Sequence, residues 1–112
     1  MSAPPLDPDI AGQLAEDLPP EVFANIIATF ERDLARLTRE LADAAAAGDA
    51  RAYAMAAHSL AGAAAAVGAT ALEREARIAM DPAQPEAAAT LVPRLQQESG
   101  RALAALRALL PA

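Results

Sequence analysis

The sequence predicts an all-α protein, an antiparallel four-helix bundle with a short additional helix at its N-terminus. Three observations lead there. Apolar residues make up 54% of the 112 residues but aromatics only 3%, so the apolar mass is chiefly alanine with leucine, valine and isoleucine. Alanine is the strongest helix former and leucine is close behind it. No window shows the alternation of β-branched and aromatic residues that marks strands. Apolar residues instead recur at steps of three and four, in runs broken by glycine and proline. The length suits one domain over residues 1–112, with residues 1–6 as a flexible leader.

The first helix is short. Asp7 is placed to cap it and Pro8 to occupy its first position, where a missing N–H costs nothing. It should run to about Asp17, where Pro19-Pro20 breaks it and opens the second helix. In that helix Phe23, Ile27, Phe30, Leu34, Leu37, Leu41 and Ala44 form one apolar stripe. Glu31, Arg32, Arg36, Arg39, Glu40 and Asp43 fall mostly off the stripe and are read as a solvated face. Gly48 suits the left-handed conformation that ends a helix. From Pro20 to Ala47 the helix would be about 40 Å long.

Asp49 caps the third helix directly after Gly48, and so short a connection makes the two helices antiparallel neighbours. Ala50, Tyr53, Ala57, Leu60, Ala64 and Val67 form its expected stripe, with Gly68 as its stop. A fourth helix covers about Ala69 to Met80, with Leu72, Ala76 and Ala79 inward. Asp81-Pro-Ala-Gln-Pro reads as a loop. The last helical region runs from about Glu86 to Leu110, with Leu95, Leu103, Leu106 and Leu110 on its apolar side. Pro93 should either kink this helix or mark its true start.

Composition excludes several functions. There is no cysteine, which removes disulfides, thiolate metal sites and cysteine nucleophiles. With one histidine as well, a zinc site is not expected. The formal net charge is −6 and the pI about 4.6, opposite to the basic footprint that nucleic acid or an anionic membrane surface requires. No run of about 18 apolar residues occurs, so no transmembrane helix is expected. The N-terminus lacks the basic start and apolar stretch of a signal peptide, and a cytoplasmic protein is expected. Gly62-Ala-Ala-Ala-Ala-Val-Gly68 is not a nucleotide-binding loop, because no Lys-Ser/Thr follows.

The remaining candidate is the single histidine, His58. At 100° per residue it lies about 130° from the centre of the third helix's stripe. It therefore faces outward, sharing its face with Arg51, Ala54, Met55, Ala61, Gly62 and Ala65. Most of these are small, which leaves the imidazole accessible to another macromolecule. Glycine within a helix costs about 1 kcal/mol relative to alanine, so Gly62 needs a reason. Either it clears the approach of a partner to His58, or it lets another helix of the same chain pack closely. A lone surface histidine ordinarily carries no function. Ser59 is adjacent but points elsewhere, and no third group is present to orient a catalytic base.

The stretch Ala45-Ala-Ala-Gly-Asp-Ala-Arg-Ala-Tyr-Ala-Met-Ala-Ala-His-Ser-Leu-Ala-Gly62, continuing to Val67-Gly-Ala69, resembles the histidine-containing phosphotransfer (HPt) domain family. That family's pattern is a helix end at Gly-Asp, then Ala-His-Ser/Thr-Leu-Lys-Gly, then Gly-Ala about ten residues past the histidine. The resemblance extends over roughly residues 20 to 80. It implies a bundle of four helices with a short extra N-terminal helix, and a monomer. It implies that His58 accepts a phosphoryl group from a receiver-domain aspartate and passes it on, in bacterial-type two-component signalling. The partners implied are response-regulator receiver domains or a hybrid histidine kinase. Such a carrier is not an enzyme and has no cofactor of its own, Mg²⁺ belonging to the receiver. Arg51, Ala54, Met55, Ala61, Gly62 and Ala65 would meet the partner. One position departs from the pattern: Ala61 stands where the family usually has lysine. The alternative is a pseudo-HPt adaptor or inhibitor that docks a receiver or kinase without phosphotransfer.

Overall fold

The computed structural model describes residues 3–81 and 87–111. Among them are five helices and no strand: α1 (Pro8–Asp17), α2 (Pro20–Ala47), α3 (Ala50–Ala66), α4 (Thr70–Met80) and α5 (Ala88–Arg107). Helices α2 to α5 close a ring in which each packs on the next and α5 returns to α2. This is the expected four-helix bundle, with α1 as the additional helix. Helix α2, with 28 residues, is at about 1.5 Å per residue nearly as long as the longest extent of the molecule, 43 Å.

The helix boundaries follow the chain's local chemistry. The Asp7 carboxylate accepts a hydrogen bond from the Asp9 N–H at 2.9 Å, and Pro8 begins α1. Gly48 ends α2 with φ 68°, and the Asp49 carboxylate caps α3 by accepting from the Ala52 N–H at 3.0 Å. The whole expected stripe of α2, from Phe23 to Ala44, is buried. Leu72 and Ala76 of α4 are buried and Ala79 is half-buried against the core.

Three expectations need correction. The buried face of α3 is wider than one stripe. Ala56, Ala57, Leu60, Ala61 and Ala64 are all buried, Tyr53 is half-buried, and Ala50 is exposed at the helix start. Helix α3 lies between α2 and α4, so its flanks, Ala56 on one side and Ala61 on the other, are covered as well. Those flanks bound an arc of about 140°. Second, Pro93 is not where the last helix starts. Helix α5 begins at Ala88 and runs through it. Proline cannot donate to the carbonyl four residues earlier, but that residue, Ala89, is exposed, so water can satisfy its carbonyl. Third, the inner face of α5 is Leu91, Leu95, Ser99, Ala102 and Leu106, with Leu103 and Leu110 only half-buried. The Ser99 hydroxyl is accommodated there by donating to the Leu95 carbonyl at 2.7 Å. The expected loop at 82–85 and the expected helix start at Glu86 lie outside the described residues.

The N-terminal segment is tied down at more points than its composition suggests. Leu6 packs against the core, and Arg101 donates to the Ala3 carbonyl at 2.7 Å. The Asp7 N–H donates to the Gly68 carbonyl at 2.8 Å. At Gly68 two constraints coincide. Its φ is 73°, and a Cβ there would lie 2.9 Å from Ile10 Cβ and 3.3 Å from the Ala11 nitrogen. Gly48 has a similar φ but open space around it. Gly48→Ala should therefore cost only the left-handed conformation, about 1 kcal/mol. Gly68→Ala should cost about 2 kcal/mol or more, because α1 must also move. Urea denaturation of the two variants checks this; equal losses would mean that α1 yields freely.

Candidate functional site

His58 sits in the middle of α3, on the side away from the core, and is exposed. Arg51 and Gly62 are exposed with it, and Met55 is 60% exposed. Ala54 and Ala65 are half-buried at the margin of the same face. Ala61 does not belong with them: at 2% exposure it is part of the core. The cause is the approach of α4, which covers that flank of α3. Ala61 is thus removed from the set of surface residues around His58. A lysine there would have to run its aliphatic stem out along the helix to bring its charge to the surface.

The two explanations of Gly62 now separate. A Cβ built on it would meet nothing within 4 Å. Close packing of another helix in this chain therefore does not account for the glycine. What its missing side chain does is keep the surface low one turn beyond His58.

Beside His58 is a shallow groove of about 360 Å³, lined by Arg51, Ala54, Met55, His58, Ser59 and Met80. Its walls are apolar apart from the imidazole, the Ser59 side chain and one cation, Arg51. Arg51 makes no ion pair or hydrogen bond to another described residue. Met80 was not anticipated from the sequence, and Ser59 was expected to point elsewhere. Met80 comes from the end of α4, which the short turn at 67–69 folds back along α3. Counting residues outward from that turn pairs Met80 with the level of Met55 and His58, a signal the sequence does contain.

A second depression, of about 490 Å³, lies on the other flank between α2 and α3. Ala44, Ala47, Ala52 and Ala56 are among its lining residues, as are Glu40, Asp43 and Asp49. Met55 and Ser59 line both grooves. Among the described residues no group of three or more histidines, aspartates or glutamates is arranged to hold a metal ion. No helix among them is long and apolar enough to cross a membrane.

An exposed histidine in mid-helix, amid small residues on a four-helix bundle, is the arrangement the sequence pattern implied. The family model of the Hpt domain matches residues 21–110, from the start of α2 to beyond the end of α5. The chain belongs to the Hpt domain family. Neither a curated protein nor a solved structure matches it. Hpt domains are carrier modules of two-component signalling and work with receiver domains and kinases, and family membership ties this chain to phosphotransfer of that kind. The match begins after α1. Helix α1 is held to the matched bundle by buried Ala11 and by the hydrogen bond from the Asp7 N–H to the Gly68 carbonyl.

Proposed function

We propose that the chain is a histidine phosphocarrier, with His58 accepting a phosphoryl group from a receiver-domain aspartate and passing it to another. The observation that carries this reading is the accessibility of His58, an outward imidazole with open space above Gly62. In the transfer, the unprotonated nitrogen of a neutral imidazole attacks phosphorus in line. The N–P bond forms as the bond from phosphorus to the aspartyl oxygen breaks, and the aspartate leaves as a carboxylate. The imidazolium proton is then released to solvent. Such a transfer depends on positioning and charge stabilisation more than on covalent help from the acceptor protein, so an accessible imidazole is most of what this chain must provide. Mg²⁺ is expected on the receiver. Arg51, lining the same groove, is the cation nearest in the helix register to neutralise phosphoryl oxygens from this side.

The second reading, an adaptor that docks a receiver or kinase without chemistry, draws on one observation: position 61 is a buried alanine and offers no charge. Incubation with phosphorylated receiver domains separates the two. A carrier gains phosphate that is labile in acid and stable in alkali, as phosphohistidine is; an adaptor binds and gains none.

Gly62→Gln tests the docking face. Glutamine is the better helix former by somewhat under 1 kcal/mol, and it enters open space, so the helical fold should be retained or slightly more stable. Its side chain would stand one turn from His58, and receiver affinity should fall by about tenfold. Titration of receiver into both proteins measures this. Unaltered affinity would place the docking surface away from Gly62.

A further inference from the structure

We propose that the α2–α3 groove beside His58 selects the partner by charge, favouring receivers that carry basic residues next to their phosphorylated aspartate. This rests on the carrier reading and specifies which partner it serves. The groove's floor is formed of alanine methyls, and Glu40, Asp43 and Asp49 stand around it with no cation among the lining residues. Glu40 is paired with Arg36 at 3.3 Å, but both side chains are half or more exposed, and such a pair is weak enough to be exchanged for another. Asp49 caps α3 through one carboxylate oxygen, which accepts from the Ala52 N–H. Asp43 is exposed and has no hydrogen bond or ion pair to any described residue. These carboxylates are not arranged to chelate a metal. Their spread along an apolar floor suits the separated cations of a protein surface.

Met55 and Ser59 join this groove to the one that contains His58, where the only charged lining residue is Arg51. The face around the histidine is therefore electrically divided, positive at the Arg51 end and negative along the end of α2. A receiver's phosphorylated aspartate is anionic and belongs toward Arg51 and His58. Basic residues beside it would then lie over Asp43. Two opposite charges at fixed separation define an orientation, and like-charge juxtaposition rejects receivers with the reverse pattern.

The test uses purified receiver domains, phosphorylated with a small acyl phosphate and Mg²⁺ and ranked by transfer to the full chain at limiting concentration. With the fastest donor, the half-saturating concentration is measured for wild type, Asp43→Asn and Asp43→Arg between low and high NaCl. For wild type it should rise steeply with salt. For Asp43→Arg it should be at least tenfold higher at low salt and nearly independent of salt, with Asp43→Asn between them. Helical content and melting midpoint of the variants are recorded alongside, since a merely structural role would move those and leave the salt dependence intact. Equal half-saturation and equal salt dependence across the three proteins would overturn the proposal. If no receiver labels the wild type, the carrier reading fails. Calorimetric titration of the same receivers then decides the charge selection on its own: salt-sensitive binding that depends on Asp43 supports it, and its absence overturns it.

Discussion

Leu60→Ala is expected to destabilise the fold by about 2–5 kcal/mol. Leu60 is 0% exposed and lies within the buried arc of α3. That helix is built mostly of alanine, and Leu60 is its one large fully buried side chain. Leu60 belongs to one core cluster with the large side chains of α2 and with Leu72, so removing it leaves a cavity in that core. Domains of this size have about 5–15 kcal/mol of total stability, so the midpoint of thermal unfolding should drop by on the order of 10 °C or more. Met55→Ala, one turn away on the exposed side, should change stability by no more than about 0.5 kcal/mol. Thermal denaturation followed by helical circular dichroism compares the two. A Leu60→Ala midpoint equal to that of wild type would mean that α3 presents a different face to the core.

His58→Gln is expected to abolish phosphate uptake while leaving fold and docking in place. His58 is the only histidine, so no other side chain can replace it as phosphohistidine. Glutamine keeps a polar side chain of comparable size at an exposed helical site but has no nucleophilic ring nitrogen. It is also an adequate helix former, so the melting midpoint should stay within about 0.5 kcal/mol of wild type in stability. Receiver affinity should change little, since the surrounding apolar surface is untouched. Labelled transfer from a phosphorylated receiver, run in parallel on both proteins, gives the comparison. Equal labelling would end the phosphohistidine account. Labelling of neither, across a full set of receivers that bind, would favour the docking-only adaptor.

The helix map was legible because its punctuation is local. Asp7-Pro8, Pro19-Pro20 and Gly48-Asp49 act through backbone geometry and capping, which neighbours cannot easily override. The stripe of α2 was legible because its buried residues are large and regularly spaced. What escaped the sequence depends on what packs against what. Ala56 and Ala61 are buried because α3 has a neighbour on each flank, and an alanine carries too little hydrophobic signal to announce this. In α5 Ala102 carries as little signal, and Ser99 is polar until its hydroxyl is seen to bond the Leu95 carbonyl, so the conspicuous Leu103 and Leu110 read as the inner face instead.

At the site, the outward direction of His58 and the exposure of Arg51, Met55 and Gly62 were legible from angular position alone. Ala61 lay at the margin of that face, where the pattern of one helix cannot say on which side of the boundary a residue falls. Met80 entered the site only through the antiparallel return of α4. Glu40 and Asp43 read simply as a wet helix face until α3 was brought alongside to make that face one wall of a groove.

A phosphocarrier of this kind holds its phosphate on His58 itself. Phosphorylated receiver and the full chain can be mixed, and the products fragmented under neutral, non-heating conditions that preserve phosphoramidates, for localisation by mass spectrometry. The expected product carries the added mass of one phosphoryl group on His58 and on no other residue. Phosphate found on a serine, threonine, aspartate or glutamate, with His58 unmodified, would contradict it.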